Sequence, residues 1–256
     1  MTQPQLQIPS SFFGTRKMYQ HTDDSYFFER YLKQQNVIEE ILDFSHFRGM
    51  VTVADFGCHV GGWSWVLSQL NQQVVALDVI DPVVNLAQEF AEYNGVNNIN
   101  FGTVDGMVSR LTELDGILCV GTIQVMSTRD IYRFFEFAAN SLKPGGLLLC
   151  NTANPNLVLE WLLTLKRVKY EGWKGQGFWL KMLMRAYRDR AINPDKDYYC
   201  LSMGAVINLA SQYNLMLKVS PQAYKTFHAT QEFEDINNGG QKSLLRHYDW
   251  FLFERQ

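Results

Sequence analysis

Val51-Thr52-Val53-Ala54-Asp55-Phe56-Gly57-Cys58-His59-Val60-Gly61-Gly62 is the stretch whose reading decides the fold. An apolar run ends in a glycine-bearing turn, which feeds a helical pattern continuing through Leu70. Strand, turn and helix in that order form the unit from which an open α/β sheet builds a nucleotide-sized site. Gly57 lets the chain turn sharply at the strand end, Gly61 lets backbone approach a ligand closely, and Gly62 permits tight entry into the helix. In each case a Cβ would clash or forbid the dihedrals. A ligand at such a turn lies over backbone N–H groups at a helix N-terminus. Taken alone, the same turn also fits an ordinary tight connection, so the neighbouring segments have to decide.

The next strand is Val74-Val75-Ala76-Leu77, a continuous apolar run of the kind that burial on both faces requires. It ends in Asp78, about 20 residues after the glycine turn, where a carboxylate accepts hydrogen bonds from both hydroxyls of a ribose. Asp81-Pro82 opens the following helix, with Asp81 the expected cap. Ile99 to Gly106 reads as a third strand ending in the acid Asp105, and Asp115 to Gly121 as a fourth. Leu142-Lys143-Pro144-Gly145-Gly146 is a helix stop leading into a fifth strand, Leu147 to Cys150.

These pieces resemble a known family, the S-adenosylmethionine-dependent methyltransferases with the seven-stranded Rossmann-like fold. Asp55 to Gly61 matches the glycine motif, Asp78 the ribose acid and Asp105 the adenine-side acid. Val120-Gly121-Thr122-Ile123-Gln124 matches the fourth-strand motif, and Leu142 to Gly146 the turn before strand five. The resemblance spans roughly residues 50 to 150. It implies a three-layer α/β fold whose last strand runs antiparallel between strands five and six, and a cofactor site at Asp55, Gly57, Cys58, His59, Gly61, Asp78, Val79, Asp105, Gly106, Val120 and Gly121. The cofactor implied is S-adenosyl-L-methionine, leaving as S-adenosyl-L-homocysteine, with no metal. One departure stands out: His59 occupies a position where the family usually has glycine.

Length and charge agree with this reading. The 256 residues suit one domain with an added cap: an N-terminal lid over 1–45, a cofactor-binding core over 46–154, a helical cap over 155–200 and the rest of the sheet over 201–256. A net charge of −3 argues against general nucleic-acid affinity, which needs many phosphate-neutralising cations. Cys58, Cys119, Cys150 and Cys200 show no zinc spacing and read as reduced core residues of a cytoplasmic protein. The polar start and the lack of a long apolar run indicate neither secretion nor a membrane span. Pairing with a second copy of the chain is compatible with all of this.

Acceptor specificity must come from outside the core. The segment from 11 to 45 is rich in aromatics and charge, and the resemblance places such a segment over the cofactor. Tyr19 to pack against it and Arg30 to meet its carboxylate are the expectations, with packing of the tyrosines on the sheet as the alternative. From Leu157 to Val168, and again from Phe178 to Tyr187, apolar residues recur at helical spacing and describe a helical hairpin containing Trp179. That hairpin leaves the carboxyl end of strand five, the ligand edge of open α/β sheets, so it reads as a lid. Its nine Lys plus Arg against five Asp plus Glu over 155–200 suit an anionic substrate or a membrane surface, although such a balance is more often the solvated side of two amphipathic helices.

Strand six is Leu215 to Val219 and the last strand Tyr248 to Glu254; with the antiparallel last strand that the resemblance implies, the connector from 220 to 247 begins and ends on the ligand side. His228 and His247 are therefore the candidate general bases, while Gln124, Asn151 and Asn154 are the polar groups expected to orient an acceptor. The resemblance implies in-line displacement of the sulfonium methyl by nitrogen or oxygen of a small molecule. RNA, protein and non-catalytic cofactor-binding readings are the alternatives. A nicotinamide dehydrogenase would need glycine where His59 stands.

Overall fold

A computed structural model describes residues 24–153, 201–230 and 248–256 of the chain. Among the described residues there are seven strands: β1 (Thr52–Phe56), β2 (Gln73–Asp78), β3 (Ile99–Thr103), β4 (Leu114–Cys119), β5 (Leu142–Ala153), β6 (Leu215–Val219) and β7 (Tyr248–Arg255). They form a mixed sheet in the order β3-β2-β1-β4-β5-β7-β6. β1 pairs in parallel with β2 and β4, and β2 with β3, whereas β7 runs antiparallel to both of its neighbours. The Rossmann-like sheet and its antiparallel last strand are thus as expected.

The described helices are α1 (Asp24–Phe44), α2 (Gly62–Leu70), α3 (Asp81–Tyr93), α4 (Val104–Met107), α5 (Thr128–Ser141), α6 (Met203–Gln212) and α7 (Pro221–Thr230). Each follows local chemistry. Pro82 sits in the first turn of α3, where its missing N–H costs nothing, and Val83, Leu86, Ala87 and Phe90 recur on its buried face. The Ser127 hydroxyl accepts the Asp130 amide at 3.2 Å and donates to that residue's carboxylate at 2.5 Å, which closes the start of α5. Ser202 caps α6 by accepting the Ala205 amide.

The described residues fall into two compact units, one comprising 24–119 and 141–146, the other 120–140, 147–153, 201–230 and 248–256. In the first, an aromatic cluster fixes α1. Phe28 stacks on Trp65 and Phe90 with centroids 5.5 and 4.7 Å away, and Val60, Val83 and Leu86 complete the cluster. Asp115 joins the amino-terminal ends of β1 and β4 by accepting the Val51 and Thr52 amides, and it pairs with Lys143. In the second unit, Phe134, Phe135, Leu148, Leu149, Phe251 and Phe253 are buried. There Lys225 of α7 reaches the buried Asp249 of β7 at 2.8 Å.

Several boundaries differ from expectation. β3 stops at Thr103, and Asp105 lies one element further on, in the short α4, because the chain bends before it reaches the acid. The chain is extended from Leu142, directly after α5, and Gly145 with φ 78° supplies the turn. The first residue of α3 is Asp81, and its N-cap is Ile80 without any side-chain cap, so Asp81 is not the cap. The connector after β6 opens with α7, an unforeseen helix. Tyr19, Asn154, Trp179, His247, Cys200 and the expected hairpin over 155–200 lie outside the described residues, as do the side chains of Arg30 and His228.

Candidate active site

The carboxyl ends of β1 and β2 hold the centre of the site. β1 and β2 pair in register up to Phe56 and Leu77, so Asp78 emerges beside the Gly57–Gly61 turn. Its carboxylate takes one backbone N–H on each oxygen, from His59 at 2.9 Å and from Ile80 at 3.1 Å. Two amides therefore fix its orientation, while a carboxylate's four lone-pair sites leave two for a ligand. Asp78 is 8% exposed, whereas the adjoining Val79 and Ile80 are 76% and 43% exposed. An oriented carboxylate beside exposed apolar side chains suits a ribose joined to a flat base, so the residues present fit an adenosyl group.

The turn itself alternates hand. Gly57, His59 and Gly61 have φ of 78°, 51° and 85°. His59, where the resemblance leads one to expect glycine, therefore adopts the left-handed region with a side chain attached, at a cost of roughly 1 kcal/mol or more. The His59–Asp78 bond helps to hold it there. At Gly61 an added Cβ would stand 2.9 Å from Trp65 Nε1, so both dihedral and space demand glycine. Most of the turn's amides are committed internally: Gly57 and Cys58 both donate to the Leu77 carbonyl, and Gly61 to that of Cys58. The expected open cradle of turn N–H groups is correspondingly reduced.

Asp55 faces inward. It is 2% exposed and accepts the Ser64 hydroxyl at 2.6 Å, as well as the Ser64 backbone amide, thereby serving the first turn of α2 in place of an N-cap side chain. Burial, reinforced by the nearby Asp78 charge and opposed by the Ser64 bonds, pushes its carboxyl up to about 7. Burial likewise raises the Cys58 thiol, with Asp55 and Asp78 adding to the effect, so Cys58 is an inert packing group. Asp105 and Gly106 are exposed on α4.

The N-terminal helix reaches this site through Tyr31. Tyr31 presses on Gly62 so closely that a Cβ there would stand 2.1 Å from its ring, and it meets Trp65 edge-on at 6.4 Å. Gly62 is thus required by side-chain packing from α1 rather than by helix entry alone. Tyr31 packs α1 on α2 rather than on the sheet itself.

A second polar group of residues lies within the other unit. Gly121 donates its amide to Asn151 Oδ1 at 2.7 Å, and the Gln124 side-chain amide approaches the Tyr248 hydroxyl at 3.4 Å. Asn151 is fully buried, and its Nδ2 finds no partner among the described residues; nor do Gln124 Oε1 or Thr152 Oγ1. Val120 and Gly121 are half-buried, and Gly121 has φ 69°. His228 falls on α7. Tyr248 was missed as a site residue, although one signal pointed to it: an antiparallel last strand must enter the sheet at the edge where β5 leaves, and Tyr248 pairs with Ala153 there.

The family described as "Methyltransferase domain" matches residues 53–146. A likeness to a methyltransferase domain thus covers the glycine turn and Asp78. The chain also shares 26% identity over 111 residues with the curated ubiquinone biosynthesis O-methyltransferase of Dinoroseobacter shibae. That match takes in 43% of this chain and 44% of the relative, so the chain spans under half the length of that relative. Magnesium protoporphyrin IX methyltransferase from Synechocystis PCC 6803, solved with bound S-adenosylhomocysteine, aligns over 96% of this chain and 92% of its own, with TM-score 0.57 and 14% identity. The cyclase SpnF aligns over 86% and 81%, with TM-score 0.55 and 14% identity. At such identities the likeness establishes the fold, and one fold carries more than one chemistry.

Proposed function

We propose that the chain transfers the methyl group of S-adenosylmethionine to an oxygen or nitrogen of a small molecule. The observation that carries this reading is the Asp78 carboxylate, held by two amides beside the glycine turn with exposed Val79 and Ile80 adjoining. When bound, the cofactor supplies a methyl on a cationic sulfur: the acceptor's lone pair forms the new bond to carbon as the carbon–sulfur bond breaks and its electron pair stays on sulfur. The chain's own residues then bind, align and exclude water. Asp78 takes the two ribose hydroxyls, Val79 and Ile80 cover the base, and Asp105 meets its edge. Gln124 and Asn151 orient the acceptor.

An oxygen acceptor is supported by the O-methyltransferase relative, and a hydroxyl must lose its proton on reaction, a step for which His228 or His247 is the candidate base. The test is incubation with methyl-labelled cofactor and a cell extract separated into small-molecule, RNA and protein fractions. Label in the small-molecule fraction is the expected result. Label only in RNA or protein, or no cofactor binding at all, overturns the proposal.

A further inference from the structure

We infer that Asn151, Gln124 and Tyr248 form a binding site for an uncharged, hydroxyl-bearing acceptor that must offer both a hydrogen-bond donor and a hydrogen-bond acceptor. This inference rests on the methyltransferase reading and adds the chemical class of the acceptor. The Asn151 amide has a fixed orientation, because its Oδ1 takes the Gly121 N–H and only Nδ2 remains, a buried donor without a described partner. Gln124 turns Nε2 toward the Tyr248 hydroxyl and keeps Oε1, a buried acceptor. Thr152, the next residue of β5, faces the other side of the sheet together with Asp249 and is not part of the site.

Leaving a buried polar atom unpaired costs about 1–3 kcal/mol, and native proteins leave few. An unpaired donor on Asn151 and an unpaired acceptor on Gln124, both gathered at Gly121, with Tyr248 on the same sheet face as Asn151, are the arrangement of a site that a ligand completes. The cluster contains no charge. Lys225 and Asp249, the ionic groups on the neighbouring helix and strand, neutralise each other at 2.8 Å. A carboxylate would meet Gln124 Oε1 without a cation, and an ammonium would leave Asn151 Nδ2 unpaired. A hydroxyl beside a second oxygen satisfies both ends.

Ligand-observed NMR on the full chain saturated with S-adenosylhomocysteine tests this, with catechol as the neutral probe and benzoate and benzylamine as charged probes of similar size. Catechol should bind in preference to both. Gln124→Met and Tyr248→Phe should each weaken catechol binding about five- to tenfold with S-adenosylhomocysteine affinity unchanged, whereas Gln124→Glu should shift preference toward benzylamine. Equal catechol binding by all variants, no catechol binding, or tighter binding of either charged probe by the unaltered chain overturns the inference. Failure to bind S-adenosylhomocysteine would instead remove the underlying methyltransferase reading.

Discussion

Two acids at neighbouring strand ends have opposite duties. Asp78 is oriented by the amides of His59 and Ile80 with lone pairs to spare, so Asp78→Ala should weaken S-adenosylhomocysteine binding roughly ten- to a hundredfold by calorimetric titration. Asp55 is turned into the protein and titrates near 7, well above an unfolded aspartate. Between about pH 4 and 7 the native state therefore holds a proton that the unfolded chain has released, and stability must fall as pH rises through that window. The effect is on the order of a few kcal/mol, at about 1.4 kcal/mol per unit of pKa. Asp55→Asn keeps a carbonyl for Ser64 and removes the titration. Its melting temperature should vary less between pH 5 and 8 than that of the unaltered chain, and should exceed it at pH 8.

At the scale of elements, α2 is held from both sides: Trp65 fills the space beside Gly61, and Tyr31 covers Gly62. Gly61→Ala places a Cβ against Trp65 at φ 85°, and should cost about 1–3 kcal/mol in denaturant unfolding while also lowering cofactor affinity. Asp115 works at the opposite ends of the strands. Although burial raises its carboxyl, the pairing with Lys143 and the bonds from Thr52 and Val51 hold it below the usual range. Asp115→Ala should cost about 1–3 kcal/mol in urea yet leave S-adenosylhomocysteine affinity unchanged, because it disturbs the sheet away from Asp78. Loss of affinity in that variant would show that the two strand ends are not independent.

For the whole molecule, a ligand that binds only the folded chain raises its melting temperature. S-adenosylhomocysteine at about 100 times its Kd contributes about 2.7 kcal/mol, a rise of roughly 5–10 °C for a chain of this size. NADH should give none, since His59 stands where a dinucleotide-binding turn needs glycine. Among the described residues no helix is long and apolar enough to cross a membrane, and no cluster of acids, histidines and cysteines could hold a metal ion.

The order of strands, the glycine turn and the carboxylate of Asp78 were legible in the chain because they are local: apolar runs bounded by turns, and an acid at a fixed distance from a bend. Strand ends were less so, as at Asp105, because nothing in residues 99–106 marks where pairing stops and α4 begins. Only tertiary structure could show that Asp55 is buried against Ser64, that Gly62 makes room for Tyr31, and that Tyr248 stands beside Gln124. Each of those pairs is made by elements distant in sequence or by a turn of hand unforeseeable from composition. Burial and hydrogen-bond direction arise only when the elements pack.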